Sequence, residues 1–196
     1  MRRIAALLVL ALPGGCGRVG VPLDQGKVSR FVKSEGGEFT IEISGKEKVR
    51  DTMCSVMVVK DDGKPVLSYY LAPEGRGLKM LRMVMGEADL SFAEMPVWYL
   101  KGPAEQGAQF GEGVQMGPPF GGQVTYLGTF ESEEEITVPA GTFKCWRVQW
   151  KADMGSTLHL RETRWINEKM GIVRISVESS VNNIVVRLAG ELKSRE

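Results

Sequence analysis

Three cysteines, a single histidine and one dense run of glutamates are the side chains of this 196-residue chain whose chemistry could go beyond packing. Cys16 has the clearest setting. Arg2 and Arg3 precede an apolar stretch from Ile4 to Leu12, and Pro13, Gly14 and Gly15 lead directly into the cysteine. Basic, apolar and small residues in that order form an export leader, and the apolar part is well short of the roughly 20 residues that span a bilayer. A thiol directly after the small residues is the group that bacterial lipoprotein processing frees and acylates, with chains such as palmitate. Residues 1–16 therefore read as a lipoprotein-type signal peptide, expected to be cut directly before Cys16 so that this residue remains as the lipid anchor. Cleavage by an ordinary signal peptidase, with Cys16 an incidental thiol, is the alternative.

The remaining reactive groups do not assemble into a catalytic motif. His159 lies in Thr157-Leu158-His159-Leu160-Arg161-Glu162 with no G-x-S-x-G elbow elsewhere, so it reads as a structural or surface residue. Cys54 and Cys145 sit in apolar, strand-like runs rather than at a helix start. An exported compartment permits a disulfide between them, and two buried free thiols fit the same runs. One histidine and two separated cysteines supply no metal-ligand spacing. Glu131, Glu133, Glu134 and Glu135 lack the Gly and Asn alternation of a calcium loop and read as a solvated hairpin rim. The glycines of 107–122 lack the strand-Gly-helix context of a phosphate cradle. No enzyme, cofactor or metal is expected.

The elements that would position these groups are strands. Phe39, Ile41 and Ile43 alternate with polar residues, Asp62-Gly63 marks a hairpin, and Trp146, Val148 and Trp150 alternate with Arg147, Gln149 and Lys151. About ten strands at hairpin spacing and no amphipathic helix imply an all-β single domain, an antiparallel sheet that curves or half-closes into an open barrel. Residues 17–26 read as a tether and 27–196 as the β domain. Residues 101–122, with seven glycines and three prolines, read as one long loop. Without the leader the chain carries 23 basic and 24 acidic side chains, a balance that argues against a nucleic-acid partner.

The apolar side chains include a soft and aromatic group: Met53, Met57, Met80, Met83, Met85 and Met95 with Trp98, Trp146, Trp150 and Trp165. Such residues fill core gaps and also suit cavities that accept varied apolar ligands. Trp146, Trp150, Trp165 and Met83 are the candidate ligand face; plain core packing is the competing reading.

Val138-Pro139-Ala140-Gly141-Thr142-Phe143, then Cys145-Trp146-Arg147-Val148, Trp165 and Gly171-Ile172-Val173-Arg174, resemble the C-terminal half of a family of bacterial envelope lipoproteins that includes TapB-like proteins. Pro22-Leu23 and Gly26 fit its P-L-x-x-G opening. The motif itself looks structural, with Pro139 presetting φ and Gly141 free to take a positive one. The resemblance implies a curved sheet similar to the Lol-type lipoprotein-carrier half-barrel and implies no enzymatic activity. It also implies that Gly17, lacking an acidic retention signal after the acylated cysteine, sends a Gram-negative lipoprotein to the outer membrane, facing the periplasm. A lipid-anchored binding module, holding a hydrophobic ligand or acyl chain, is the expectation; a docking lipoprotein of an envelope complex is the alternative.

Overall fold

The computed structural model describes residues 21–116, 122–155, 157–181 and 184–196, so Cys16, the leader and the first part of the tether lie outside it. The described chain is strand and turn throughout. It runs β1 (Val28–Lys33), β2 (Glu38–Val49), β3 (Thr52–Asp61), β4 (Lys64–Glu74), β5 (Gly77–Met85), β6 (Ala88–Ser91) and β7 (Val97–Leu100). The second half continues with β8 (Gln109–Met116), β9 (Gly122–Val138), β10 (Gly141–Met154), β11 (Leu158–Asn167), β12 (Gly171–Val181) and β13 (Ile184–Arg195).

All thirteen strands belong to one antiparallel sheet in the order β6-β5-β4-β3-β2-β1-β13-β12-β11-β10-β9-β8, with β7 paired to β5 beside β6. The chain thus lays two meanders that meet where its first and last strands pair, Val32 opposite Glu191. Both ends of the sheet come from mid-sequence. Bulges interrupt the ladders, among them those at Ile43/Gly45, Tyr70/Leu71, Arg147/Val148 and Trp165/Ile166. Each adds local bend and twist, which curls a wide sheet around one concave core. Closure stays incomplete: β7 and β8 face each other without a backbone ladder. Side chains bridge them instead. Lys79 Nζ on β5 reaches Glu112 Oε1 on β8 at 2.9 Å and the Pro96 carbonyl at 3.0 Å, and the Trp150 indole donates to the Tyr99 carbonyl at 2.9 Å.

The turn chemistry follows the residues. Asp62 and Gly63 both have positive φ, 48° and 75°, the geometry of a type I′ hairpin between β3 and β4. Pro139 and Ala140 link Val138 to its ladder partner Gly141, which takes φ 132°, and Thr137 and Thr142 hydroxyls meet at 3.0 Å across that hairpin. Within the stretch read as a loop, Gln109–Met116 forms β8. Phe110 and Val114 face the core there, while the glycines let the strand lie close to β9. A Cβ on Gly128 would stand 2.3 Å from the Phe110 ring, so the aromatic covers a strand that offers it no side chain.

β3 is apolar on both faces because both are covered. Met57 and Val59 belong to the concave core, whereas Cys54, Val56 and Val58 join Tyr70, Ala72 and Leu81 in a smaller cluster on the convex side.

Candidate functional site

Residues two apart on a strand point to the same face. On β11 that rule turns Leu158, Leu160, Glu162, Arg164 and Ile166 inward, so an acid and a base enter the apolar interior side by side. Arg164 is 0% exposed and Glu162 1%. The Arg164 Nη2 donates to Glu162 Oε2, and the Tyr69 hydroxyl of β4 donates to Glu162 Oε1. Three rings then enclose the guanidinium: Tyr99 of β7, Tyr69 and Trp150 of β10, with centroids 4.6, 4.8 and 4.9 Å from Cζ. Cations stacked on desolvated rings gain up to about 2 kcal/mol.

The electrostatics of this cluster are those of a charge pair far from water. Burial pushes the Glu162 carboxyl up to about 7, against the hydrogen bond from Tyr69. Burial likewise raises the Tyr69 and Tyr126 phenols well above their usual range and lowers the Arg164 guanidinium. Hydrogen bonding is incomplete. Arg164 Nε and Nη1, the Tyr99 hydroxyl and the Ser179 hydroxyl are buried without a partner. Asp61, Glu131 and Arg147 also lack hydrogen bonds at one atom, but each sits in an ion pair with Lys33 or with one another at 2.5–2.7 Å. The orphans around Arg164 have no such explanation, and each carries a desolvation cost of about 1–3 kcal/mol.

A cleft opens at one end of the sheet, where the tether enters. Phe31, Ile41, Ile43, Met57 and Ile172 form its apolar walls, Lys27 and Arg195 stand at its rim, and Val21 and Pro22 lie across it. Its enclosed space is small, about 20 Å³, room for about one water and well below the roughly 300–1,000 Å³ of small-ligand sites, so a larger occupant requires Val21 and Pro22 to lift. Pro22 is seated against Gly171, where a Cβ would meet it at 3.0 Å. Met57, in the cleft wall, pairs across the ladder with Tyr69, so one residue separates the cleft from the charge pair.

The residues singled out from the sequence are distributed between two faces. Trp150 and Met83 are buried in the concave core, and Trp146 packs on its border against Phe130 with centroids 5.8 Å apart. Trp165 does not join them. It lies on the opposite face between Arg147 and Arg174, whose guanidinium carbons stand 5.6 and 5.3 Å from its ring, and its indole donates to Glu134. Cys54 and Cys145 are free, buried thiols in separate clusters, one on each side of the sheet. Burial raises both, Cys145 to about 11. His159 is exposed and 2.6 Å from Asp153. The glutamate run is an outer rim: Glu131 pairs with Arg147 and Glu133 with Lys144. No group of acidic, histidine or cysteine side chains fit to hold a metal occurs among the described residues, nor does a helix long and apolar enough to cross a membrane. Glu162, Arg164, Tyr69 and Tyr99 were not singled out; the signal available was the period of two that carries Leu158 and Leu160 into Glu162 and Arg164.

A family model described as DUF3108-like matches residues 128–183, a span that includes the Val138–Phe143 turn motif and β11. Two solved structures are similar to the chain, each at 14% identity. One is a candidate exported protein with a YmcC-like fold from Bacteroides fragilis, with a TM-score of 0.48 over 92% of this chain and 100% of that one. The other is a candidate lipoprotein from Parabacteroides distasonis, with a TM-score of 0.44 over 90% and 97%. No curated protein matches the sequence.

Proposed function

We propose that this protein is an exported, lipid-anchored binding module of the cell envelope, without enzymatic activity, whose curled sheet takes up the apolar chain of a ligand. The cleft beneath Val21 and Pro22 carries this reading. It is walled by core side chains and covered by the segment nearest the proposed anchor. Val21 follows Cys16 by five residues, so acylation of that cysteine would hold the cleft within about 18 Å of the membrane. A chain leaving the bilayer would displace Val21 and Pro22 and exchange lipid contacts for Phe31, Ile43 and Met57. If the cell is Gram-negative, Gly17 directs this work to the outer membrane, on its periplasmic side.

Native mass spectrometry of the exported Cys16→Ser protein, purified without detergent, tests the reading. A discrete adduct that denaturation releases as a lipid supports it. A bare mass after incubation with lipid vesicles rejects it and turns attention to β8. That strand has a ladder partner on one side only among the described residues, which suits a docking lipoprotein joined edge to edge with another envelope protein.

A further inference from the structure

Building on the proposed apolar cavity, we propose that Arg164 is the recognition point for the carboxylate of a single-chain amphiphile, a fatty acid whose tail runs toward the tether-covered cleft. The guanidinium is fully buried, yet it spends one nitrogen on Glu162 and keeps Nε and Nη1 without an acceptor. The Tyr99 hydroxyl, on a ring stacked 4.6 Å from the same guanidinium, is equally unpartnered. Arginine presents its donors as a planar fork matched to carboxylate oxygens. Natural interiors leave few such donors unsatisfied.

The surroundings select the rest of the ligand. From Arg164 the side chains toward the cleft are Tyr69, its ladder partner Met57, then Ile43 and Phe31, all apolar along the inner face. A head at Arg164 therefore leaves a tail pointing out toward the cleft. Tyr99 stands on β7, a four-residue strand held by a short ladder to β5, and its ring and hydroxyl close the guanidinium on that side.

Charge balance favours a monoanion. The groups facing the pair are Tyr69 on β4, Tyr99 on β7, Tyr126 on β9 and Trp150 on β10, none of them charged at neutral pH. A second anion beside one arginine is tolerated when Glu162 takes up a proton, toward which its burial already biases it. The interior then remains neutral overall: Glu162 holds the one added proton and the Arg164 cation balances the ligand's carboxylate. A dianionic phosphate would leave excess negative charge in a medium that cannot solvate it.

Calorimetric titration of the full exported protein, carried with Cys16→Ser, compares oleate, oleyl alcohol and methyl oleate at pH 7 in two buffers of different ionisation enthalpy. Oleate is expected to bind at least tenfold more tightly than the two neutral chains, the difference one charge-assisted hydrogen bond supplies, and to take up about half a proton at pH 7, where Glu162 starts half protonated. Tyr99→Phe removes a hydroxyl without a partner, so it should fold as the parent does and narrow that preference severalfold. Equal affinity for all three chains overturns the assignment of Arg164 while leaving the apolar cavity standing. Binding of none of them overturns both.

Discussion

Replacing Arg164 with methionine gives a sharp test of the interior. The substitution preserves a long, flexible side chain among Tyr69, Tyr99 and Trp150 and removes the cation, leaving the Glu162 carboxylate buried with Tyr69 as its one hydrogen-bond donor. Breaking a buried pair from one side costs about 3–5 kcal/mol. In the parent, burial already raises this carboxyl to about 7, and losing the cation raises it further. The sign is fixed by proton counting. Below pH 7 both folded forms hold a proton that the unfolded chain releases above 4.5; the variant's carboxyl lies higher still, so Arg164→Met loses stability relative to the parent as pH rises beyond 7 and approaches it in acid. Urea titration followed by tryptophan fluorescence should show the variant weakened by about 3 kcal/mol at pH 8 and much closer to the parent at pH 5. A triple variant, Tyr69→Phe with Glu162→Leu and Arg164→Met, removes every polar partner together and should return to within about 1 kcal/mol of the parent, because buried charge pairs contribute little net stability. An Arg164→Met protein as stable as the parent at pH 8 would refute the buried pair.

Three further outcomes follow from local geometry. Cys54 and Cys145 should both be silent toward Ellman's reagent at pH 8 in the native state and react fully in urea, since burial raises both and holds Cys145 near 11; a bridged pair would show no reactive thiol under either condition. Gly128→Ala drives a Cβ to 2.3 Å from the Phe110 ring and should cost about 1–3 kcal/mol in urea, recovered in part by Phe110→Leu; an unchanged midpoint would show that the ring does not rest on that glycine. Gly171→Ala combines φ +76° with a contact of 3.0 Å to Pro22, so it should release the tether and speed protease cleavage between residues 20 and 26 while the core stays resistant. Equal cleavage rates in parent and variant would show that Pro22 is not seated there.

How far the sequence reads depends on which interactions decide each feature. Strand identity was legible because β11 alternates strictly and β10 does so from Val148 to Asp153, and the β3–β4 hairpin because Asp62-Gly63 tolerates two positive φ values. The count of about ten strands fell short of thirteen where local signals fail. β6 has four residues, and β8 carries glycines at 111 and 113 whose strand form is fixed by the β9 ladder and by Phe110 packing on Gly128. Tertiary pairing overrides propensity there. The tryptophans divide for a reason equally local. Trp165 follows Arg164 and so takes the opposite face, where two arginines stack on it; grouping it with Trp150 required ignoring its place in the alternation.

The central pair illustrates the harder limit. Glu162 and Arg164 resemble the surface charges that fill Lys60, Glu178 and Arg187, and composition alone assigns them to solvent. Only their phase with Leu158, Leu160 and Ile166 distinguishes them, and a strand that turns two charges inward among apolar neighbours contradicts the stability logic of its own pattern. Such contradictions concentrate at functional sites, where stability has been exchanged for recognition. In this sheet the contradiction is compounded: replacing the pair by leucine and methionine would preserve the alternation and avoid the orphaned N–H groups. The proposed recognition of a carboxylate gives that enclosed guanidinium a use, and the comparison of oleate with its neutral analogues separates it from a pair that only fixes the packing.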